Sequence, residues 1–579
     1  MVRQSCQGAA QVLRRPSSSG QARSSVRTIH LRTAAVGAAG ASAEQRYRLR
    51  ILPESIELHA AGPAGLRYGL TTLQQLLLAG GEAIQAMDID DWPDYPVRGV
   101  MLDISRCKVP TLATLRNLID RLSAWKINHL QLYMEHAFAY SAHRRVWRGA
   151  SPLTAPQVRE LDAYCAARGI ELAPNQNSFG HLERWLRHSP YSDLAESDGP
   201  YTTPWGEVRT VRTTLNPLHP GSLRLVASLY EELLPLFRSR LFNVGCDETW
   251  ELGQGRSRQA CLRRGLGQVY LSFLKKIHRL VRRHGRRMMF WADIAQQHPD
   301  LLPDLPDDVI PLIWGYEADH PFDAQCRTWA ERGLPFYVCP GTSSWCSFGG
   351  RTSNCLANLR NAAAAGRRHG GVGYLITDWG DFGHRQYLPV SYLGFLYGAA
   401  VSWCGRSNEG LDVARALSRH AFNNADGDGG RLWCDLGRVH ELSGIQRPNR
   451  TVLFDCLRFA ADDPRAVEGL TRKTVRVMRE AVEDLLARAA RWRPGGTEGD
   501  LVKGELQATA VVLRHACRRA AYLLGGGRRR KTVAGRRRLA AEMRGIIDRH
   551  RRLWRARNRP GGLAESLSYF LRNLGEYEG

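Results

Sequence analysis

No run of eighteen or more apolar residues occurs in this sequence, so no segment reads as a membrane-spanning helix. There is no Cys-x-x-Cys pair and no Cys/His set at metal-ligand spacing. The thirteen cysteines are odd in number and dispersed, which argues against a disulfide framework and a structural zinc site and points to a reducing compartment. No internal repeat is evident. Acids are missing from the first 43 residues, which are rich in Arg, Ser and Ala. That composition resembles a transit peptide, or a disordered or wrongly started N-terminus, and "TAAVGAAGASA" is too weakly apolar for a secretory signal. A cytoplasmic location is expected, with targeting left open by this segment.

Acids are also outnumbered elsewhere. Lys and Arg total 81 against 56 Asp and Glu, a net charge of +25. Such a surplus fits a nucleic acid, an anionic polymer or a membrane surface as partner, or arginine on solvated helix faces. "RRLWRARNRP" and "AGRRRLAAEMRGIIDRHRR" favour the second reading, and "GGGRRRK" (525–531) reads as a charged connector rather than a nucleic-acid patch. Hydrophobic residues at 43% are ordinary for a globular chain with a sizeable core.

Four regions follow from the patterning. Residues 1–44 form the targeting-like or disordered segment. Residues 45–92 form a small, possibly truncated α/β domain: "YRLRILPESIELHA" alternates as two strands and "GLRYGLTTLQQLLLAG" is an amphipathic helix closed by glycine. From 93 to 405 short apolar runs alternate with helical stretches. The runs lie at 98–105, 129–134, 170–175, 241–246, 287–293, 309–314, 335–340 and 373–378. Eight such units predict a (β/α)8 TIM barrel; a doubly wound sheet is the competitor, but no GxGxxG or phosphate loop follows the first strand. Residues 406–579 read as an Arg-rich helical region, with "RNRPGGLAES" as a helix stop.

Barrel enzymes build their sites on the loops after the strands. The strands and the loops after them offer Arg98 and Asp103, Glu135 and His136, Asn177 and His181, Asp247 and Glu248, Trp291 and Asp293, Trp314, Tyr316 and Glu317, Trp345, and Trp379 with Asp381. A lone Trp at a strand end is more often core than platform, but four at successive ends suit sugar rings, whose hydroxyls the acids can hold. Glu135–His136 makes a poor metal pair, and no cofactor is expected. The adjacent Asp247 and Glu248 in "NVGCDETW" are the decisive feature. Their Cα atoms lie only about 3.8 Å apart, and strand neighbours point to opposite faces, so they are ill placed to flank a glycosidic bond in the usual two-carboxylate way. They suit unequal work: one protonates the leaving oxygen, and the other positions a nucleophile carried by the substrate, its 2-acetamido group. A helix N-terminus is the bland alternative for such a pair.

"YPVRGVMLDISR", "LSAWKINHLQLY", "FGH", "TLNPLHPGS" and "NVGCDETW" together resemble the barrel of glycoside hydrolase family 20, the β-N-acetylhexosaminidases, over roughly residues 46–405. The resemblance implies Glu248 as general acid/base and Asp247 as the residue orienting the acetamide. It implies His181 linked to Glu248 with Glu135 in the relay, and Arg98 on the outer hydroxyls. Trp291, Trp314 and Trp379 become aromatic walls, and Asp381 a hydroxyl ligand. Departures are Asn175 and Asn177 in place of acids, "MEHAFAY" in place of paired aspartates, and only Trp345 after strand seven where a tyrosine usually holds the acetamido carbonyl. Tyr316 is the substitute. The expected substrate is an N-acetylhexosamine-terminated glycan. The alternatives are an exoglycosidase for another amino sugar and a non-catalytic binder of polyanion or nucleic acid.

Overall fold

The structure, a computed structural model, describes residues 28–33, 42–80, 84–424, 427–525 and 532–579. The connector "GGGRRRK" falls largely outside the described residues.

The small domain starts earlier than residue 45. Strand β1 (Thr28–Thr33) runs parallel to β3 (Ser55–Ala60), which pairs antiparallel with β2 (Tyr47–Ile51), and β2 in turn with β4 (Met87–Asp91). The alternation that made β2 and β3 legible buries Tyr47, Leu49 and Leu58 on one face, where the helix Pro63–Gly80 covers them. This core also takes in Trp403, from the end of the last barrel helix, and Trp403 Nε1 donates to Asp91. The small domain is thus fastened to the floor of the barrel.

The barrel strands are β5 (Val97–Asp103), β6 (His129–Tyr133) and β7 (Glu171–Ala173). After a short hairpin, β8 (Tyr201–Thr202) and β9 (Val208–Arg209), come β10 (Leu241–Asn243), β11 (Arg287–Trp291), β12 (Ile310–Trp314), β13 (Tyr337–Cys339) and β14 (Gly373–Asp378). They form one parallel sheet in the order β10-β11-β12-β13-β14-β5-β6-β7. The ring closes through the Asn175–Asn243 bridge, with Gln176 N–H donating to Asn243 O and Asn243 N–H to Pro174 O. Strands buried on both faces need no alternation, which is why they read as continuous apolar runs. Where polar residues enter the interior, several bond to one another. Gln131 Oε1 accepts from Asn175 and Asn243, and Asn177 donates to the Tyr133 hydroxyl.

From Gly405 onward the chain is helical, ending in the long helices Arg472–Arg491, Gly499–Leu523, Val533–Arg557 and Leu563–Glu578. Not all of their arginine is solvated. Arg557 is buried and pairs with Glu505 and Glu498 at 2.6 Å. The "RNRPGG" turn does more than stop a helix: Thr111 N–H donates to Arg557 O and Arg559 N–H to Val109 O. Gly562 (φ +79°) approaches Cys107 O so closely that any side chain would collide. The C-terminal helices therefore clamp the loop that follows β5. Among the described residues no helix is long and apolar enough to cross a membrane.

Candidate active site

At the carboxyl ends of the barrel strands lies a cavity of about 780 Å³, lined by Asp247, Glu248 and His181, by Trp291, Trp314 and Tyr316, and by Trp345, Trp379 and Asp381. The acids follow β10. An extended chain would send their side chains apart, but here the backbone turns through left-handed geometry at Gly245, Cys246 and Glu248 (φ +69°, +71° and +49°). Left-handed backbone costs a non-glycine residue about 1–2 kcal/mol. The turn brings both carboxylates to one imidazole: His181 Nε2 lies 3.2 Å from Asp247 Oδ2 and 3.4 Å from Glu248 Oε2. His181 is itself left-handed (φ +54°) and follows Gly180, where a Cβ would stand 2.4 Å from Asp247 O. The Gly-His pair of the sequence is therefore a close-approach device.

The electrostatics separate the two acids. Burial pushes the Glu248 carboxyl up, the charge of Asp247 adds to this, and His181 opposes it, leaving a pKa of about 7. Burial works against a charged His181, but the facing carboxylates, Asp247 first, overcome it and raise its pKa to about 9. Asp293, at the end of β11, accepts the Glu248 N–H at 3.2 Å; burial and the Asp247 charge raise its own pKa well above the carboxylate range. Asp247 Oδ1 is buried and has no hydrogen-bond partner among the described residues, an acceptor open to an N–H donor.

The aromatic walls are mutually braced. Trp291 and Trp379 lie 6.0 Å apart at 53°, Trp314 stacks on Tyr316 at 5.3 Å, and Trp345 meets Tyr316 edge-on at 5.0 Å. Trp379 Nε1–H donates to the Tyr316 hydroxyl at 2.8 Å, leaving the phenol proton to be given elsewhere.

Two expectations are corrected. Arg98 sits near the start of β5, at the opposite end of the barrel from the cavity. It is fully buried in the floor, donating to Lys126 O, Tyr95 O and Gln45 and lying over Tyr68 and Trp403. The arginine that this strand does bring to the cavity is Arg106, beyond its other end. Its guanidinium lies 4.7 Å from both the Tyr133 and Trp379 rings and faces Asp103, Glu135 and Asp381 at 3.2, 3.5 and 3.8 Å. Buried Asp103 fixes that loop by accepting from the Ser105, Arg106 and Gly380 N–H groups. Glu135, second, bonds Tyr133 and faces Arg106. It acts on His181 only through its field and does not line the cavity. The neighbouring His136 is buried and held neutral, its pKa about 3. Among the described residues no group of three or more His, Cys, Asp or Glu could hold a metal ion.

The sequence reading missed Trp205 and Arg209 on the β8–β9 hairpin and Trp250, all of which line the mouth. "TPWGEVR" carries a turn between two alternating segments, a signal that was available. Asn449 and Arg458 reach the cavity from the helical region, and no local pattern announces them.

Comparison with known proteins agrees with this geometry. The model of "Glycosyl hydrolase family 20, catalytic domain" matches residues 95–355, and that of "Glycosyl hydrolase family 20, domain 2" matches residues 4–92. The beta-hexosaminidase of Akkermansia muciniphila is 30% identical over 280 residues, 43% of this chain and 55% of that protein. Human hexosaminidase D is 26% identical over 234 residues, 39% of this chain and 46% of that protein. The chain thus spans about half the length of these curated relatives. A crystal structure of a beta-N-acetylhexosaminidase superposes with TM-score 0.55 at 21% identity, covering 70% of this chain and 94% of the other. The exo beta-N-acetylglucosaminidase of Vibrio harveyi, solved with N-acetylglucosamine, gives 0.52 at 18%, covering 65% and 64%. At these identities the likeness is one of fold.

Proposed function

Because the chain belongs to glycoside hydrolase family 20, we propose that it is an exo-acting, retaining β-N-acetylhexosaminidase that uses the substrate's own acetamide as nucleophile. The observation that carries this reading is the acid pair gathered on His181 inside a tryptophan-walled cavity. Glu248, protonated up to about pH 7, gives its proton to the departing oxygen. The acetamido carbonyl oxygen attacks the anomeric carbon from the other side, forming a bicyclic oxazolinium with the positive charge spread over nitrogen and carbon. Asp247 Oδ1 accepts the amide N–H and offsets that charge, while the Tyr316 hydroxyl donates to the carbonyl oxygen and steers it. Water, deprotonated by the Glu248 carboxylate left from the first step, then opens the oxazolinium from the departed side, and the configuration is retained. Arg106 and Asp381 hold ring hydroxyls, and the Trp faces exclude water and stack on the sugar. His181, cationic, keeps both acids from repelling one another apart.

An aryl-glycoside panel tests this: 4-nitrophenyl β-N-acetylglucosaminide and -galactosaminide should turn over at least about 10³-fold faster than the β-glucoside. Equal rates with and without the acetamido group would exclude substrate assistance, and preference for another 2-amino substituent would select the alternative amino-sugar reading.

The pH profile follows from the same geometry. The acid must be protonated, so kcat/KM should fall above about pH 7. His181 holds the Glu248 pKa down, so His181→Gln should move that alkaline limb to higher pH while lowering the maximum. A limb that stays put or moves to lower pH would sever His181 from Glu248.

A further inference from the structure

One wall of the cavity lies outside the residues matched by the catalytic family model. Arg458 ends the helix Val452–Arg458, is half-buried, and lies 3.7 Å from the Phe382 ring. The other cations of the cavity each face a carboxylate: Arg106 faces Asp103, His181 faces Asp247, and Arg209 faces Glu207 at 2.9 Å. Among the described residues no carboxylate lies within 4.0 Å of the Arg458 guanidinium, and the nearby Asp455 is taken by Arg450 at 3.1 Å. The remaining acid of the rim, Glu183, is exposed to solvent.

Across the mouth stands the β8–β9 hairpin. Trp205, 58% exposed, meets Trp250 edge-to-face at 4.5 Å, and Arg209 lies 5.4 Å from both rings. Glu207 on the hairpin and Arg458 line the same cavity. Trp250 N–H donates to Glu248 O at 2.8 Å, which ties the indole pair to the residue that protonates the leaving oxygen. The hairpin is held by Gln254, which accepts the Thr202 N–H at 3.0 Å and donates to Thr202 O at 2.9 Å, and two buried acids fix the chain on either side of it. Fully buried Glu251 accepts from Thr213 N–H, Thr213 Oγ1 and Thr214 N–H, and fully buried Glu196 accepts from Ser257 N–H and Oγ.

We propose that Arg458 and the Trp205–Trp250 pair form an aglycone site for a sugar that carries an anionic group, a carboxylate or a sulfate, next to the terminal N-acetylhexosamine. A guanidinium stacked on an aromatic ring is partly stripped of water and has no acid of its own, so an oxyanion gains most of what solvent would have supplied. The indoles offer faces for the sugar ring. This rests on the hydrolase reading above.

The test compares N-acetylglucosaminyl-β-1,4-glucuronate with its methyl ester, and chitobiose sulfated at the 6-position of its reducing sugar alone with unsulfated chitobiose. The wild type should favour the anionic member of at least one pair by about tenfold in kcat/KM. Arg458→Gln should bring that ratio to about one, and Arg458→Lys should keep part of it. Both rates in a ratio come from one preparation, so loss of folded enzyme cancels. The pair whose ratio responds identifies the oxyanion. Wild-type ratios near one in both pairs, or ratios unchanged by Arg458→Gln, overturn the proposal. If none of the four compounds is hydrolysed, the hydrolase reading fails by itself. The same ratios, read as Kd by tryptophan fluorescence in Glu248→Gln with and without Arg458→Gln, then decide on the anionic site.

Discussion

Glu248→Gln is expected to lower kcat/KM on a β-linked N-acetylglucosaminyl disaccharide by about 10²- to 10⁴-fold, the range for losing a positioned general acid. Glutamine fills the same space and can hydrogen-bond the glycosidic oxygen but has no proton to give. The loss should therefore depend on the leaving group. A sugar alkoxide needs protonation before it departs, whereas 4-nitrophenolate is already a stable anion, so the aryl glycoside should suffer far less. Binding should persist, because the walls built by Trp291, Trp314 and Trp379 are untouched. The measurement is kcat/KM over a series of aglycones of rising pKa. A deficit of the same size for every aglycone would assign Glu248 a binding role and leave the acid to be found elsewhere.

Asp247→Asn is the second large effect. In the wild type the carboxylate touches His181 at 3.2 Å through one oxygen and leaves the other, buried, without a hydrogen-bond partner among the described residues. Asparagine removes a negative charge that faces a cationic intermediate in a water-poor site, and such preorganised groups are worth about 10²- to 10³-fold in kcat. It also withdraws the charge that holds His181 protonated up to about pH 9. Acetamido substrates should lose most, so the gap between N-acetylglucosaminide and plain glucoside should narrow. If both substrates slow by the same factor, Asp247 serves the fold of the site and not the acetamide.

Much of this was legible because the barrel converts sequence position into spatial position. The eight apolar runs announced the strands, and a residue just past the end of a run lands in the cavity. Asp247, Glu248, Trp291, Trp314, Trp379 and Asp381 were found that way. The same rule applied strictly would have chosen Arg106 over Arg98. Arg98 stands at the second residue of its strand, on the floor, while Arg106 stands three residues beyond the strand's end. The strand-end inventory and the resemblance both took the arginine inside the apolar run rather than the one beyond it. The left-handed turn through Cys246 and Glu248 was not legible, since neither residue favours it and only tertiary packing pays its cost. Nor was the share of the helical region in the cavity. Asn449 and Arg458 reach it through the docking of helices whose own pattern encodes only their buried faces. The early start of the small domain was hidden for a different reason: β1 is an edge strand with little burial, and its composition resembles a targeting segment.

The claim on which the rest depends is that the substrate's amide carbonyl, and no group of the protein, attacks the anomeric carbon. The direct measurement is kcat/KM for 4-methylumbelliferyl β-glucosaminides whose N-acyl group carries zero, one, two or three fluorines. Fluorine drains electron density from the carbonyl oxygen and changes the leaving group not at all. A steep, monotonic fall of about a hundredfold or more across the series is expected, about 2.7 kcal/mol of transition-state stabilisation. A flat series would mean that a protein carboxylate or a water molecule is the nucleophile.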